Sequence, residues 1–346
     1  MGGAVYTGMP PPVVTVLLPA RNAEPTVARA VESLLGGTLR EVRVLTVDDG
    51  STDGTRGVLE GLAARDSRVE VLDGGGQGLV AALNLALAHA TSPYVARMDA
   101  DDEALPRRLE ASVAALEADP KLGGVGTGVE MFREDQPVSP SMRDYAAWLN
   151  GLTTPEKLHR ERFVESPICH PSVCLRREAV VAAGGWEHGD FPEDYHLWLK
   201  LIEAGHRMHN VPEVLLRWRD STGRLTRTDP RYAHKRFIWV KARYLARSPE
   251  VGGRPLTVWG TGPGGLILTR FLLAEGARVE RFIDVHPRKV GTRIHGIPVD
   301  PPESLGGPPE DMHLIAAVGV RGIREEIRAA LTGRGWVEGV HFTCAA

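Results

Sequence analysis

Three aspartates are crowded into one short turn, in the segment YVARMDADD. Asp99, Asp101 and Asp102 follow an apolar run that predicts a β-strand, and carboxylates this close repel one another unless a cation or hydrogen bonds compensate. Asp99 and Asp101 are two residues apart, so an extended segment projects both to the same side. Such oxygen ligands suit Mg²⁺ or Mn²⁺ shared with substrate phosphates. The residues alone leave a second interpretation open, a solvated acidic loop before a predicted helix over 106–118.

Two further aspartates end an earlier apolar run, in the segment VLTVDDGSTDGT. Asp48 and Asp49 precede a glycine turn and a helix start that Ser51, Thr52 or Asp53 can cap. A capped turn between a strand and a helix accounts for this pattern. The alternative is that Asp49 accepts a hydrogen bond from the imide N–H of a uracil-type base, and the residues alone do not separate the two.

A glycine-rich turn with a different chemistry lies near the other end of the chain, in LTVWGTGPGG. Gly260, Gly262 and Gly265 fit the pattern G-x-G-x-x-G between a predicted strand and a predicted helix, and Asp284 ends the next predicted strand. Glycines in this pattern let the backbone approach a phosphate at a helix N-terminus. The turn is therefore a candidate nucleotide-binding site.

The elements that must position these turns alternate in type. From Val13 onward, short β-branched runs alternate with helical ones: VVTVLL, TVARAVESLL, VRVLTV, GTRGVLEGLAARD, VEVL, LVAALNLALAHA and YVARM. This alternation predicts an α/β fold with a mostly parallel sheet. Such sheets bind ligands at the carboxyl ends of their strands, where the acidic turns fall.

The alternation weakens after about residue 130 and restarts at Leu256, and the 346-residue length predicts about two domains. We predict a flexible N-terminus over residues 1–12, a first domain over 13–247 and a second over 256–346. The segment SPEVGGRP, residues 248–255, has the composition of a linker. Between the two series, predicted helices cover 177–183, 194–204 and 231–247, and EVLLRWR predicts a late strand.

Composition excludes several classes of protein. The net charge of -3 excludes a globally basic nucleic-acid binder, and no nucleic-acid partner is expected. Three cysteines form no disulfide framework, and the first residues lack the pattern of a signal peptide. No uninterrupted apolar run reaches the length of about 18 residues that suggests a membrane span. These features predict a cytoplasmic protein.

The order of the motifs resembles a known family. LPARN, VDDGSTDGT, GLVAALN, ARMDADD and PRRLE occur with the order and spacing of family 2 glycosyltransferases, over residues 13 to about 245. The chain is most similar to bacterial enzymes that build surface polysaccharide or lipopolysaccharide. The resemblance implies a GT-A fold, made of two abutting Rossmann-like halves. It also implies an inverting, metal-dependent hexosyl transfer from a nucleotide sugar, a UDP-sugar by our prediction, to a hydroxyl of a glycan or lipid-linked acceptor.

The resemblance also implies a donor and metal site. The residues that it assigns to the nucleotide sugar are Pro19, Arg21, Asn22, Glu24, Asp48, Asp49, Asn84 and Asp99. Asp101 would bind Mn²⁺ or Mg²⁺ directly, and Asp99 would contact ribose or metal. Gln77 stands where many relatives have a basic residue, and Asp220 lies near the position of a histidine that can reach the metal. Arg217 or Arg219 would then neutralise the diphosphate.

The family's catalytic base belongs to a Glu-Asp pair that matches Glu193 and Asp194. We assign the base to Asp194, with Glu193 as the second candidate; taken alone, the pair is typical of a helix N-terminus. His170, Trp186 and Trp198 are the acceptor-site candidates. A buried structural histidine and a core tryptophan are the alternatives for His170 and Trp198.

The second domain and the basic segment leave further alternatives. The C-terminal stretch resembles small Rossmann-like domains that bind nucleotide sugars beside sugar-modifying enzymes. It would hold a nucleotide or nucleotide sugar, serve as a structural or self-associating module, or act as an NAD(P)-dependent oxidoreductase. The remaining alternative is that the whole chain is a nucleotide-sugar-binding protein without catalytic activity. Residues 207–247 contain 11 Lys or Arg and three acids, which predicts either peripheral contact with the inner face of the membrane or a helix with a solvated basic face.

Overall fold

The computed structural model describes residues 11–346. The predicted flexible N-terminus, residues 1–12, falls almost entirely outside the described residues. The described chain packs as two compact units. The first contains residues 11–155, 168–188 and 200–224, and the second contains 156–167, 189–199 and 225–346.

The first unit is built on an eight-stranded sheet. Its strands are β1 (Val14–Ala20), β2 (Val42–Asp48), β3 (Val69–Asp73), β4 (Tyr94–Arg97), β5 (Glu103–Ala104), β6 (Leu122–Phe132), β7 (Cys174–Arg176) and β8 (Arg207–Arg219). The strand order is β3-β2-β1-β4-β7-β6-β8-β5. Strands β1 to β4 pair in parallel, as do β6 and β8, whereas β7 is antiparallel to both of its neighbours. The prediction of an α/β fold with a mostly parallel sheet is confirmed.

Ten helices precede the second sheet in the described chain. They are α1 (Val27–Leu35), α2 (Thr55–Arg65), α3 (Leu79–His89), α4 (Arg108–Ala118), α5 (Pro140–Gly151), α6 (Pro155–Glu161), α7 (Arg177–Ala182), α8 (Glu193–Glu203), α9 (Leu225–Thr228) and α10 (His234–Ala246). Short 3-10 turns lie at His170–Ser172 and Pro230–Tyr232. Helix α4 begins two residues later than predicted.

Burial follows the sequence pattern of each element. All seven residues of β1 are buried, as expected for a parallel strand covered on both faces. Helix α1 buries Val27, Ala30, Val31 and Leu34, the spacing of one helical face. The direction in which strands are added to the sheet reverses at β1: β2 and β3 lie on one side of it, and β4 lies on the other. The carboxyl ends of β1 and β4 therefore form the expected ligand-binding edge.

The second unit contains a six-stranded sheet. Its strands are β9 (Leu256–Trp259), β10 (Val279–Ile283), β11 (Arg293–Ile294), β12 (Ile297–Asp300), β13 (His313–Ala316) and β14 (Phe342–Cys344), in the order β11-β12-β10-β9-β13-β14. Helices α11 (Pro263–Ala274) and α12 (Ile323–Thr332) follow β9 and β13, and a 3-10 turn covers Pro302–Ser304. Only β11 is antiparallel to its neighbour. Strand order again reverses, between β10 and β13 around β9, as in a Rossmann half.

Helix α10 packs along α11 within the second unit. Its buried side consists of Ile238, Val240, Lys241, Ala242, Tyr244 and Leu245. Lys235 within the helix and Arg247 just after it are exposed, whereas Lys241 is buried. No helix in the described part of the chain is long and apolar enough to cross a membrane.

Candidate active site

The acidic turn, residues 98–102, follows β4 directly. One carboxylate oxygen from each of Asp99, Asp101 and Asp102 lies within 4.8 Å of the others. Asp99 and Asp101 are partly exposed, whereas Asp102 is 1% exposed. Elsewhere in residues 11–346, no other group of three acidic, histidine or cysteine ligands is this compact. The structure thus brings together the three carboxylates that the sequence singled out.

The electrostatics of the acidic turn are unfavourable without a cation. Burial, followed by the charge of Asp99, raises the pKa of Asp101 to about 6. The same two causes raise the pKa of Asp102 well above its ordinary value. Oδ1 of Asp102 accepts a hydrogen bond from the backbone N–H of Arg219 at 2.7 Å. Its buried Oδ2 has no hydrogen-bond partner within residues 11–346, which is costly for a carboxylate oxygen.

Two arginines place positive charge beside these carboxylates. Arg97 is buried and its guanidinium lies 2.5 Å from Oδ2 of Asp99. Nε of Arg219 donates to the backbone oxygen of Asp101 at 2.9 Å. Arg217, the other predicted diphosphate cation, instead forms an ion pair with Glu103 at 2.6 Å. Arg219 is therefore the better placed of the two predicted cations.

Asp220 does not share the environment of the acidic turn. In relatives, a histidine near this position can reach the metal. The side chain of Asp220 is completely buried, with Arg133 at 3.4 Å and Arg224 at 3.6 Å from its oxygens. It does not belong to the compact group of three carboxylates in the described chain. The two guanidinium groups explain how this aspartate is tolerated in the interior.

Residues that were predicted to bind the nucleoside connect the loops after β1 and β2 by hydrogen bonds. Asn22 adopts a left-handed conformation, φ 50°, and its side-chain oxygen accepts from the backbone N–H of Thr52 at 2.8 Å. Glu24 accepts from the N–H of Gly54 at 2.8 Å, and the N–H of Glu24 donates to Asp53 at 3.2 Å. Pro19 is buried within β1, and Arg21 is exposed at the loop. These contacts fix the two loops at the same edge of the sheet as the acidic turn.

The two aspartates at the carboxyl end of β2 are buried, and their carboxylates accept hydrogen bonds from neighbouring backbone N–H groups. Oδ1 and Oδ2 of Asp49 accept from the N–H of Gly78 at 3.2 and 2.9 Å, which fixes the glycine-rich turn before α3. Oδ1 of Asp48 accepts from the N–H of Ser51 at 3.2 Å. The contact of Asp49 with a base stays a prediction, and its carboxylate also has a structural role.

Asn84, predicted to face the nucleotide, binds a distant backbone segment. Its Nδ2 donates to the oxygen of Trp186 at 2.8 Å, and its Oδ1 accepts from the N–H of Trp186 at 3.0 Å. A Cβ added to Gly185, whose φ is 75°, would lie 2.4 Å from that Oδ1. Asn84 and Gly185 thus form a close contact between α3 and the segment that carries Trp186.

The three acceptor candidates are all buried. His170 is 8% exposed, Trp186 2% and Trp198 0%. The indole N–H of Trp186 donates to Nε2 of His170 at 3.2 Å, and burial lowers the pKa of His170 well below its ordinary value. His170 is consequently a neutral acceptor at this nitrogen. Burial favours the core interpretation of Trp198, and contact of these residues with an acceptor stays a prediction.

The Glu-Asp pair occupies the first turn of α8. Glu193 is 1% exposed, and its carboxylate accepts from the hydroxyl of Tyr232 at 2.9 and 2.8 Å. Asp194 is partly exposed, and its Oδ1 lies 2.7 Å from the N–H of Tyr195. The two neighbouring acids therefore have clearly different surroundings.

Sequence reasoning missed Arg108, the second arginine of PRRLE. It is 1% exposed, and its Nη2 donates to the backbone oxygens of Arg97 at 2.5 Å and Pro171 at 2.6 Å. Burial lowers its pKa to about 10. Arg108 thus ties the end of β4, just before the acidic turn, to the turn that carries His170. Nothing in residue type distinguishes it from its exposed neighbour Arg107.

The glycine turn of the second unit, residues 260–265, has the predicted position between β9 and α11. A Cβ at Gly265 would lie 2.1 Å from the oxygen of Gly260, so these two glycines permit close packing. A Cβ at Gly262 would meet nothing within 4 Å, which leaves the N-terminus of α11 open. Asp284 is engaged: Oδ2 accepts from the N–H and hydroxyl of Thr261, and Oδ1 accepts from the N–H of His286 at 2.9 Å. Nucleotide binding here stays a prediction.

Comparison with known proteins identifies the family. Residues 15–184 match the family model for glycosyl transferase family 2. EpsE from Bacillus subtilis is 32% identical over 238 residues, which is 66% of this chain and 81% of EpsE. AmsE from Erwinia amylovora, named as an amylovoran biosynthesis glycosyltransferase, is 32% identical over 142 residues, 41% of this chain and half of AmsE.

Two solved structures share the fold at low identity. The mannosyltransferase PcManGT from Pyrobaculum calidifontis, in complex with GDP-Man and Mn²⁺, is 23% identical with a TM-score of 0.50, over 68% of this chain and 63% of that one. TarS residues 1–349 from S. aureus, in complex with UDP-GlcNAc, is 16% identical with a TM-score of 0.51, over 75% and 71%. The predicted GT-A fold is confirmed. With the 32% identity to EpsE over most of its length, the chain belongs to glycosyl transferase family 2 and is a glycosyltransferase.

Proposed function

We propose that this enzyme moves a sugar from a UDP-sugar to a hydroxyl of a glycan or lipid-linked acceptor, with inversion, in the synthesis of surface polysaccharide or lipopolysaccharide. The observation that carries the proposal is the acidic turn at the carboxyl end of β4, where strand order reverses. The polysaccharide role is supported by the name of AmsE. The two solved structures do not decide the base, since one contains GDP-Man and the other UDP-GlcNAc. The choice of UDP rests on Asp49, the buried aspartate that the family resemblance assigns to the base.

The residues of the acidic turn fit a divalent cation. The donor set of Asp99, Asp101 and Asp102 is all oxygen, and Oδ2 of Asp102 lacks a hydrogen-bond partner within residues 11–346. Mg²⁺ or Mn²⁺ held there would supply positive charge that stabilises the diphosphate as it leaves. Arg97 and Arg219 contribute fixed charge to the same region.

Asp194 acts as the general base in this proposal. Its carboxylate accepts the proton of the acceptor hydroxyl while the hydroxyl oxygen forms a bond to the anomeric carbon. The bond between that carbon and the diphosphate oxygen breaks on the opposite face, and the electron pair leaves with the nucleoside diphosphate. A single displacement inverts the anomeric configuration and requires no covalent enzyme intermediate.

Peripheral attachment to the inner face of the membrane, through residues 207–247, is part of the proposal. The aromatic residues of α10 pack internally: Trp239 lies against Phe191 with ring centroids 5.4 Å apart, and Phe237 against Tyr195 at 6.0 Å. Any attachment would therefore depend on exposed basic groups such as Lys235 and Arg247. Flotation with vesicles tests this, and binding that is equal with neutral and anionic lipid would contradict it.

A donor panel tests the function. The intact protein is mixed with UDP-, GDP-, dTDP- and CMP-sugars, with Mn²⁺, Mg²⁺ or chelator, and thermal stabilisation and nucleotide release are measured. We expect stabilisation and release with a UDP-sugar and a divalent cation, and neither with Asp101→Ala. Binding without turnover across varied acceptors would favour a non-catalytic nucleotide-sugar-binding protein. Oxidation or reduction of a nicotinamide cofactor would favour an oxidoreductase.

A further inference from the structure

The hydroxyl of Tyr232 lies against both carboxylate oxygens of Glu193, at 2.9 and 2.8 Å. Burial, followed by the negative charges of Glu193 and Asp194, raises the pKa of Tyr232. The phenol therefore stays protonated at neutral pH and acts as a donor to the carboxylate. A hydrogen bond from a neutral donor to a buried anion is among the stronger ones in proteins.

The segment that carries Tyr232 is braced internally. Tyr232 ends the 3-10 turn Pro230–Tyr232, and its N–H donates to the oxygen of Asp229 at 3.1 Å. The carboxylate of Asp229 accepts from the backbone N–H of Arg231 at 2.9 Å and pairs with its guanidinium at 2.7 Å. These contacts fix the backbone next to the tyrosine, so its hydroxyl is held in place rather than reaching Glu193 from a loose loop.

The hydrogen bond from Tyr232 distinguishes Glu193 from its neighbour Asp194. Glu193 is 1% exposed, and both of its oxygens lie within hydrogen-bond distance of the phenol. Consecutive residues project about 100° apart around a helix. Asp194, the next residue, is partly exposed, and its Oδ1 accepts from the N–H of Tyr195 at 2.7 Å.

We propose that Tyr232 is a positioning residue that holds Glu193 as a buried anchor for the first turn of α8 and thereby leaves Asp194 as the proton acceptor. This inference rests on the proposed transferase function. It assigns a role to a residue outside every motif of the family resemblance. It also separates Glu193 from Asp194, which sequence reasoning left as alternatives.

A double-mutant cycle tests the assignment in the intact protein, with kcat and the KM for donor measured separately. Asp194→Asn removes the proposed base, and we expect kcat to fall by about 10³-fold with the donor KM unchanged. Tyr232→Phe and Glu193→Gln should each lower kcat by about 10-fold, also without changing that KM. The double variant Y232F/E193Q should be no worse than either single variant, because both changes break one interaction.

Tyr244→Phe is the matched control. Its hydroxyl lies 3.1 Å from Nε2 of His196, one turn further along α8, so the variant removes a comparable buried contact to the same helix. We expect a lower melting temperature and an unchanged kcat. A fall in kcat equal to that of Y232F would show that any loosening of α8 slows transfer, which would overturn the specific role of Tyr232.

Three further outcomes would overturn the role proposed for Tyr232. If E193Q abolishes transfer while D194N retains it, Glu193 is the base and the inference is wrong, although the transferase function stands. Additive losses in Y232F/E193Q would show that Tyr232 does not act through Glu193. A wild type that transfers no sugar from any donor would remove the proposed function and this inference together.

Discussion

Two turns of the molecule have the same topological origin and opposite electrostatics. The acidic turn of the first sheet and the glycine turn of the second both lie at carboxyl ends of strands where strand order reverses. In the first, burial and like charge raise the pKa of Asp101 to about 6, and Oδ2 of Asp102 is unpartnered within the described chain. In the second turn, burial alone would raise the pKa of Asp284, but hydrogen bonds from Thr261 and His286 lower it below its ordinary value.

The two turns differ in how far their own hydrogen bonds satisfy the carboxylates. Asp284 is satisfied by its own turn and by Lys289, whose Nζ lies 3.5 Å away. In the acidic turn, Arg97 pairs with Asp99 and the N–H of Arg219 donates to Asp102, but Oδ2 of Asp102 has no hydrogen-bond partner within residues 11–346. A cation would therefore lower the energy of this turn. Position at a sheet edge is common to both turns, and the hydrogen-bond partners of their carboxylates are what differ.

The largest expected effect separates the two turns directly. Asp101→Asn should lower sugar transfer by roughly 10³-fold, because a ligand of the proposed cation is lost. Asp284→Asn, the matched change in the second sheet, should retain transfer within about threefold, since its carboxylate bonds its own turn. Initial rates of nucleotide release measure both. An equally inactive D284N would show that the second turn takes part in the reaction.

A second prediction concerns the support beneath the acidic turn. Arg108→Met should lower transfer by about 10²-fold and reduce the melting temperature, because the backbone oxygens of Arg97 and Pro171 lose their donor. Arg107→Met is the control: Arg107 is exposed and pairs with Glu213 at 2.8 Å, and surface ion pairs contribute about 1 kcal/mol or less. Equal losses in the two variants would contradict a specific role for Arg108.

The third prediction uses stability without metal. In chelator at neutral pH, Asp101→Asn should unfold at a higher urea concentration than the wild type, because it removes one of three crowded charges. Asp284→Asn should instead unfold earlier, because its turn loses a hydrogen-bonded carboxylate. Urea midpoints measure both, and destabilisation by D101N would mean that the acidic turn is already compensated.

The fourth prediction is a pH dependence of the second sheet. Burial lowers the pKa of His313 to about 4, below the value of about 6.5 expected in the unfolded chain. Between these values the unfolded state binds more protons, so stability present above pH 6.5 is lost as the pH falls towards 4, by a few kcal/mol at most. His313→Asn should flatten this part of the urea midpoint profile. An unchanged profile would show that folding does not lower the pKa of His313.

The smallest expected effect concerns nucleotide binding by the glycine turn. Gly262→Val fills the open space before α11, where a Cβ meets nothing, and should leave folding and transfer unchanged. If that turn binds a nucleotide, calorimetry should give one UDP fewer per chain for the variant. Unchanged stoichiometry would make the turn structural and complete its contrast with the acidic turn.

The sequence predicts the scaffold well because its signals are local. Alternating apolar runs predict the strands that carry Asp48, Asp99 and Asp101 to one edge, and the structure has them there. The contacts that define each acid's environment join residues far apart in sequence. Asn84 meets Trp186, and Glu193 meets Tyr232, through folding rather than through any spacing in the chain. Burial likewise distinguishes Arg108 from Arg107 where residue type does not.

The three-residue strand β7 has a consequence for synthesis on the ribosome. It lies in the middle of the first sheet, antiparallel to β4 on one side and β6 on the other. Until Arg176 has left the exit tunnel, the strand that leads into the acidic turn has an open edge, and such edges can pair with other chains. The pairing of β4 with β7 can therefore form only after residue 176 has been synthesised, and slowing elongation before codon 174 would lengthen the period in which a nascent chain can aggregate.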